Sequence, residues 1–244
     1  MKSSEDWSRL GGILIAAIAF ILLVVVGPRM LGFAAGPEPE IITELKSLER
    51  DGVKFLVPGL PAPLTSREAV FDRITVQLEP GGQRAMALAT LDFTGSVGDT
   101  EVSSLGVEEI PFVLRDGTWG PEGRVAPRLA AVVGALEARR RALDAGDGEA
   151  LARLSLPPEG DAGGGEANGS VRVGELDLDT LRALQRRRYR ADAWFIRLER
   201  DEAMVTEDWH LEGDLPSRPL SQQGKSRLIL QRRGQEFLFS AALR

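Results

Sequence analysis

The feature that most constrains this chain is an apolar run close to its N-terminus. Residues Leu10–Val26 read LGGILIAAIAFILLVVV and contain no polar side chain. Extended through Phe33, a helix of this segment is long enough to cross a hydrocarbon layer about 30 Å thick at about 1.5 Å per residue. The run therefore predicts a transmembrane anchor over residues 10–33, with Trp7 as an aromatic anchor at the interface.

A cleaved signal peptide and a buried core helix are the alternatives for this segment. A signal peptide usually has a shorter apolar region, followed by small residues at the cleavage site. Here the bulky Phe33 precedes Ala34 and Ala35, which does not fit that pattern. A retained anchor is therefore the favoured interpretation, followed by a linker over residues 34–39.

Flanking charges predict how the anchor is oriented. The short tail, residues 1–9, carries Lys2 and Arg9, whereas acidic residues follow soon after Arg29. Because positive charge collects on the cytoplasmic side, the tail is predicted to be cytoplasmic and the remainder exported. Richness in Arg, Ala and Gly is typical of a GC-rich bacterial genome. The prediction is a single-pass protein of the bacterial inner membrane with its soluble region in the periplasm.

Composition excludes several functions. The net charge of −6 argues against nucleic acid as a partner, because neutralising phosphates needs a basic surface. The chain has no cysteine, so it has no disulfide, thiolate nucleophile or cysteine metal site. The glycine-rich segment, residues 157–168, lacks the spacing of a phosphate-binding loop and is predicted to be a flexible insert. Neither a cofactor nor a metal ion is predicted.

Beyond the linker, helical and strand-like periodicities alternate twice. In the first half a helix ending at Asp51-Gly52 precedes strands around Ile74–Leu78, Arg84–Gly95 and Val107–Leu114. The second half begins with helices over Ala126–Ala145, Gly148–Leu154 and Asp179–Tyr189. Its predicted strands are Ala193–Glu199, Ala203–Gly213, Ser226–Gln231 and Phe237–Leu243. Both halves therefore predict a helix followed by an antiparallel sheet, the first over residues 40–125 and the second over residues 126–244.

Short sequence matches indicate that these halves are copies of one unit. Val76–Glu79 parallels Ile196–Glu199, and Thr90–Phe93 parallels Thr206–Trp209. Two meanders of similar length also give a few matches by chance. Agreement in order, spacing and residue type together favours duplication.

The second half resembles the nuclear transport factor 2-like superfamily, whose cystatin-like cone is a helix followed by a curved antiparallel sheet. Residues Leu136–Asp147 (LEARRRALDAGD) look like that family's opening helix and its end, and Ser226–Leu230 with Phe237–Phe239 look like its closing hairpin. The resemblance implies an α+β fold class, with a transmembrane helix followed by two cone-like units. Enzymes, binding modules and assembly scaffolds all occur on this fold.

Glu207 is the strongest candidate for acid–base chemistry. Strand alternation places it on the apolar face between Val205 and Trp209. A carboxylate in an apolar interior suits an acid or base, and the resemblance implies such a role, although no oxyanion pair is recognisable beside it. Tyr189, Trp194, Trp209 and Phe239 are the predicted pocket-lining residues. The alternative is that Glu207 sits at the cone mouth or pairs with an arginine.

Other polar residues are weaker candidates. His210, the single histidine, alternates onto the face opposite the apolar residues and is predicted to be an ordinary surface side chain. A basic patch on the predicted helix could contact lipid, a partner or an anionic polysaccharide, or form a solvated face. Its members are Arg182, Arg186, Arg187, Arg188 and Arg190.

Since the chain assembles no nucleophile, base and orienting group at a recognised spacing, we expect a non-enzymatic interaction or assembly module of a bacterial envelope complex. The architecture resembles the assembly-factor subunits of type IV secretion and conjugation channels. Other envelope proteins are the expected partners, and homo-oligomer formation stays open. The rival hypothesis is a small-molecule binder or an isomerase- or hydrolase-like enzyme using the second cone.

Overall fold

The computed structural model describes residues 36–51, 54–55, 60–157 and 178–240. These residues form an α+β fold in which helices pack on one face of a nine-stranded sheet. No helix in these ranges is long and apolar enough to span a membrane. The predicted tail and anchor, residues 1–33, lie outside the described residues. The same holds for the predicted insert, residues 157–168, except for Pro157.

Helices and strands follow one another in the predicted order. The first half contains α1 (Glu38–Asp51), β1 (Lys54–Phe55), β2 (Leu64–Leu78), β3 (Arg84–Val97), β4 (Thr100–Arg115) and β5 (Thr118–Pro121). The second half contains α2 (Pro127–Ala145), α3 (Gly148–Arg153), α4 (Leu178–Ala183), β6 (Gln185–Leu198), β7 (Glu202–Leu215), β8 (Arg218–Arg233) and β9 (Glu236–Phe239). The strands are generally longer than predicted, because backbone pairing continues past the apolar residues that reveal a strand in sequence.

Local residue chemistry sets the ends of α2, whose bounds agree with the predicted helix Ala126–Ala145 to within one residue. Pro127 occupies the first turn, where its missing N–H would have no helical partner anyway. Gly146 ends the helix with φ 64°, a left-handed conformation that glycine adopts without a Cβ penalty. Asp147 then accepts a hydrogen bond of 2.9 Å from the backbone N–H of Ala150 and so caps α3.

The two halves share one sheet. The strand order is β1-β2-β3-β4-β6-β7-β8-β9, and β5 pairs with β4. All neighbours are antiparallel except β4 and β6, which run parallel from Glu101 beside Ala193 to Gly106 beside Leu198. We call this parallel pairing the seam. Helix α1 packs against β2 and β5, while α2 packs against β4, β6 and β9 on the same side of the sheet.

Strand lengths repeat between the halves. β3 begins at Arg84 and β7 at Glu202, 118 residues later, and each contains 14 residues. β4 and β8 are likewise 118 residues apart with 16 residues each, and the short strands β5 and β9 keep the same spacing. β2 and β6 each contain two register shifts. The halves therefore share the order of these strands, and β3, β4 and β5 match β7, β8 and β9 in length, whereas β2 has 15 residues and β6 has 14.

This spacing corrects one of the sequence matches. The ends of β2 and β6, Leu78 and Leu198, are 120 residues apart, as in the predicted alignment. Beyond them the loop of residues 79–83 is two residues longer than its counterpart, residues 199–201. Leu91 therefore corresponds to Trp209, rather than to Glu207 as the matched threonines indicated. Both lie beside a glycine, Leu91 beside Gly106 and Trp209 beside Gly224.

The predicted helix over Asp179–Tyr189 is wrong in its second half. Helix α4 ends at Ala183, and β6 begins at Gln185. The arginine-rich run has good helix propensity, but Tyr189 is buried beside Leu211 of β7. Pairing with β7 overrides the local preference, and a bulge at Arg186, with φ 49°, brings the chain into register.

Gly106 lies where the seam ends, and replacing it should loosen the junction of the two halves. A Cβ on this residue would overlap the carbonyl oxygen and Cβ of Leu198. Since backbone atoms cannot move aside cheaply, we expect Gly106→Ala to lower the free energy of unfolding by about 2 kcal/mol, measured by denaturant titration. Gly120→Ala is the matched control, because a Cβ there meets nothing within 4 Å. Equal stability of the two variants would contradict this role of the seam.

Candidate functional site

Glu207 lies in the interior of the second half and is bound to an arginine. Alternation along β7 directs its side chain towards α2, and the residue is 0% exposed. One carboxylate oxygen, Oε2, lies 2.7 Å from Nη1 of Arg139, which is itself buried. Of the two alternatives given by the sequence, the pairing with an arginine is the one observed.

Two further donors complete the environment of this carboxylate. The Tyr189 hydroxyl donates to Oε2 at 2.9 Å, and the Trp194 indole N–H donates to Oε1 at 3.2 Å. Both carboxylate oxygens are thus engaged by groups of the protein. A general base needs a free lone pair facing a substrate, and this carboxylate presents none to solvent.

Electrostatics at this cluster follow from burial and from the ion pair. Burial, followed by the negative charge of Glu207, raises the pKa of the Tyr189 hydroxyl well above its usual value. Burial alone would lower the pKa of the Arg139 guanidinium, but the neighbouring carboxylate and Tyr189 outweigh it and raise this pKa. Tyr189 therefore stays neutral and Arg139 charged, so the cluster is held as one ion pair with neutral donors.

Aromatic side chains fill the space around Glu207. Trp194 is fully buried, and Tyr189 stacks on Trp209 with ring centroids 6.3 Å apart. The Arg139 guanidinium lies 5.8 Å from the centre of the Phe239 ring. The predicted pocket-lining residues thus meet around Glu207, and all of them are buried. Trp209 also covers Gly224, where a Cβ would come within 2.7 Å of its ring.

Neither of two clefts on the described surface is lined by residues of this cluster. One, of about 210 Å³, lies between the halves and is lined by Met86, Glu109, Pro111, Pro127, Arg128, Arg232, Gln235 and Phe237. The other is a shallow depression around the β6–β7 turn. Among the described residues, no group of three or more His, Asp and Glu side chains is arranged to hold a metal ion.

Most members of the predicted basic patch are engaged by neighbouring groups of the chain. Arg187 turns inward and donates to the carbonyl of Asp144 at the end of α2 and to the carbonyl of Leu181. Arg186 pairs with Asp214, and Arg190 pairs with Asp192. The remaining members, Arg182 and Arg188, are exposed, and Arg182 pairs with Asp179.

His210 points away from the interior, as predicted. Its Nε2 lies 3.3 Å from the hydroxyl of Ser221 and 3.6 Å from the carboxylate of Glu212. Ser221 and Glu212 are both exposed, whereas Glu207 is buried. The arrangement is that of a surface side chain.

A second buried acid, Glu108, was not predicted. It lies on β4, is 0% exposed, and accepts hydrogen bonds from the backbone N–H groups of Arg128 at 2.9 Å and Leu129 at 2.7 Å. These are free donors in the first turn of α2, so the carboxylate caps that helix. Burial raises the pKa of Glu108 to about 7, although the two N–H groups and the charge of Arg128 act in the opposite direction.

Arg128 extends this cluster from β4 to the β6–β7 turn. Its guanidinium donates to the carbonyl of Val107 at 2.5 Å and to the carbonyls of Glu199 and Arg200 in the β6–β7 turn. Burial lowers the pKa of Arg128, while Glu108 and Glu109 raise it. Glu109 in turn pairs with Arg232 of β8 at 2.8 Å. The cluster therefore fastens β4, α2 and β6–β8 to one another.

The face of the sheet opposite the helices is uncovered in the described part of the chain. We call it the outer face; it consists of the outward residues of β2, β3, β4, β6, β7 and β8. Large apolar side chains lie near its centre: Leu105 is 53% exposed, Phe195 48% and Val107 41%. Exposed apolar side chains grouped on one surface are typical of a protein interaction site.

No protein-family model matches the chain, and no curated protein matches it. One similar solved structure is that of a dehydratase candidate of the NTF2-like family from Streptomyces avermitilis, with 17% identity and a TM-score of 0.37 over 48% of this chain and 97% of that one. Another is an NTF2-like protein involved in plasmid conjugation, with 9% identity and a TM-score of 0.28 over 71% of this chain and 74% of that one. These structural neighbours are NTF2-like proteins, and at these TM-scores neither one's activity is transferred to this chain.

Proposed function

We propose that this chain is a non-enzymatic interaction or assembly module, held at the bacterial inner membrane by residues 10–33 and acting in the periplasm as a subunit of an envelope complex. Its soluble part consists of two cone-like units of the nuclear transport factor 2-like kind in tandem. The anchor, its orientation and the compartment rest on the sequence. The units rest on the repeated strand lengths and register shifts.

The observation that carries the proposal is the closed interior of the second unit. Arg139 neutralises Glu207, the acidic side chain at the predicted catalytic position, and Tyr189 and Trp194 donate one hydrogen bond to each of its two oxygens. A catalytic or ligand-binding acid of this fold would need an open space beside it. Here aromatic side chains take that space.

The outer face supplies a surface that fits an interaction role. Leu105, Val107 and Phe195 are exposed on the neighbouring strands β4 and β6, near the centre of the sheet. Burying such side chains against another polypeptide is favourable by about 25 cal/mol per Å² of apolar surface. The module is therefore proposed to bind its partners through this face rather than through its interior.

Site-specific photocrosslinking in native membranes tests the proposal. A photoreactive amino acid at Phe195 should give discrete polypeptide adducts, whereas the same group at Glu149, exposed on α3 away from the sheet, should give none. The double variant Arg139→Met/Glu207→Gln, which removes both members of the buried ion pair, should leave the adducts of position 195 unchanged. A small molecule that co-purifies with the wild type but not with this double variant, together with an absence of adducts, would overturn the proposal in favour of the binder or enzyme.

A further inference from the structure

The outer face has a regular arrangement of residues across its six strands. Strand pairing defines one row that crosses the seam, namely Glu68, Thr94, Ser103, Phe195, Thr206 and Arg227. The adjacent row consists of Val70, Asp92, Leu105, Arg197, Met204 and Ile229. Each row begins on β2, crosses the seam between its third and fourth members, and ends on β8.

Charge is distributed unevenly along these rows. Glu68 and Asp92, on the first half, are exposed, and neither makes an ion pair with any described residue. On the second half, Arg227 is exposed and likewise has no ion pair in the described ranges. The unneutralised charge is thus negative on one side of the seam and positive on the other, with Leu105 and Phe195 between them.

We propose that a second copy of this chain covers the outer face, packed sheet to sheet about a twofold axis that runs along the seam. The inference rests on the proposed function and names its partner as the chain itself. In a twofold dimer both copies use the same surface. A residue on one side of the axis therefore meets the residue on the other side in the second copy, and a residue on the axis meets its own equivalent. The outer face meets this requirement through its charges and its apolar residues.

The direction of the axis follows from the rows. Rotation about the seam exchanges β2 with β8 and keeps each row, so Glu68 of one copy lies over Arg227 of the other, and Val70 lies over Ile229. An axis across the strands would instead bring β2 onto β2, with acidic residues facing acidic residues. Opposite charges across an interface favour the first arrangement and disfavour the second.

The size of the face suits a stable dimer. Six strands at about 4.8 Å spacing span about 24 Å, and nine residues of strand cover about 30 Å, which together give an area on the order of 700 Å² per copy. Stable interfaces bury about 800 Å² per partner. Sheets pack face to face about 10 Å apart with their strands roughly aligned, as this axis requires.

Cysteine crosslinking of the purified full-length protein in detergent tests the arrangement, because the chain has no native cysteine. The double variant Glu68→Cys/Arg227→Cys, treated with a short bis-maleimide, should give a covalent dimer. Within one chain the two positions are about 24 Å apart by strand spacing, so intramolecular linkage is out of reach. Either single variant should give little dimer, since each cysteine faces an arginine or a glutamate of the other copy.

Charge reversal gives a second, independent measurement by sedimentation equilibrium. Glu68→Arg and Arg227→Glu should each weaken dimerisation about tenfold, and the double variant should restore it to within about threefold of the wild type. Phe195→Glu should give monomers at concentrations where the wild type is dimeric. All of these positions are exposed, so the fold should not change.

Two results would overturn the inference. One is a monomeric wild type, and the other is a dimer that neither crosslinks through positions 68 and 227 nor responds to Phe195→Glu. Adducts from position 195 to a different polypeptide, combined with a monomeric purified chain, would overturn the second copy as partner while leaving the proposed function in place. If position 195 gives no adduct and the purified chain forms no dimer, both the proposed function and the second copy as partner are overturned.

Discussion

Replacing Glu207 by Gln is expected to lower the free energy of unfolding by about 3–5 kcal/mol. The change leaves the Arg139 guanidinium buried without its counter-charge, and a buried charge that loses its partner is among the most destabilising changes known in proteins. Arg139→Met should cost a similar amount, because it leaves the carboxylate uncompensated in the same aromatic surroundings. Urea titration of each variant measures both effects.

The double variant Arg139→Met/Glu207→Gln decides whether the pair is structural. The amide oxygen of Gln can accept from the Trp194 indole in place of Oε1, and its NH2 group can donate to the Tyr189 hydroxyl in place of Oε2. Neither member of the ion pair then remains as an uncompensated buried charge. It should therefore be only about 1–2 kcal/mol less stable than the wild type, far less than the sum of the single effects. Additive single effects would show that the two side chains do not act as a pair, and would reopen a separate role for Glu207.

Glu108 is expected to make stability depend on pH. Its pKa of about 7 in the folded protein lies above its ordinary value of 4.5, so the folded state retains a proton that the unfolded state has lost. The resulting stabilisation is complete below about pH 4.5 and is lost as the pH rises through about 7. At about 1.36 kcal/mol per pH unit, the free energy of unfolding should fall by about 3 kcal/mol across this range.

The variant Glu108→Gln isolates this contribution. It should flatten the pH dependence between about pH 4.5 and 7 relative to the wild type, when unfolding is followed at a series of pH values. Glu109→Gln is the matched control, because it removes the neighbouring acid and its pairing with Arg232 but keeps Glu108. The same slope in wild type and Glu108→Gln would contradict the assignment.

Sequence patterns located the interior acid but not its partner. Alternation in β7 placed Glu207 on the buried face, and the structure agrees. Arg139 is followed by Arg140 and Arg141, and a run of three arginines on a helix by itself indicates a solvated face. The helical spacing of Leu129, Val132 or Val133, Leu136 and Leu143 nevertheless puts position 139 on the same stripe as these apolar residues. That spacing was the signal that a charged residue enters the interior.

Glu108 was missed for a comparable reason. β4 buries Val102, Ser104, Ile110 and Phe112, all at even positions, and Glu108 shares their parity. Only the position of α2 relative to β4 makes a carboxylate acceptable there, because the helix supplies two N–H donors. Sequence periodicity gives the buried position, whereas the donors come from a different element of the chain.

The course of Arg186–Arg190 could not be predicted from local preference. Nothing in this run of arginines opposes a helix, and the strand exists because β7 offers a partner edge. Likewise, the parallel seam joins residues about 92 positions apart, such as Glu101 and Ala193, and no short-range pattern encodes it. Long-range pairing of this kind depends on the folded arrangement of both halves.

One measurement tests most directly whether the chain acts through its outer face rather than its interior. The native complex that contains the chain is solubilised and sized on native gels for the interior variant Arg139→Met/Glu207→Gln and for the surface variant Phe195→Glu, at equal expression. We expect the interior variant to keep the wild-type complex and Phe195→Glu to lose it. Loss of the complex in the interior variant, with Phe195→Glu unchanged, would contradict the interaction role of the outer face and return attention to Glu207.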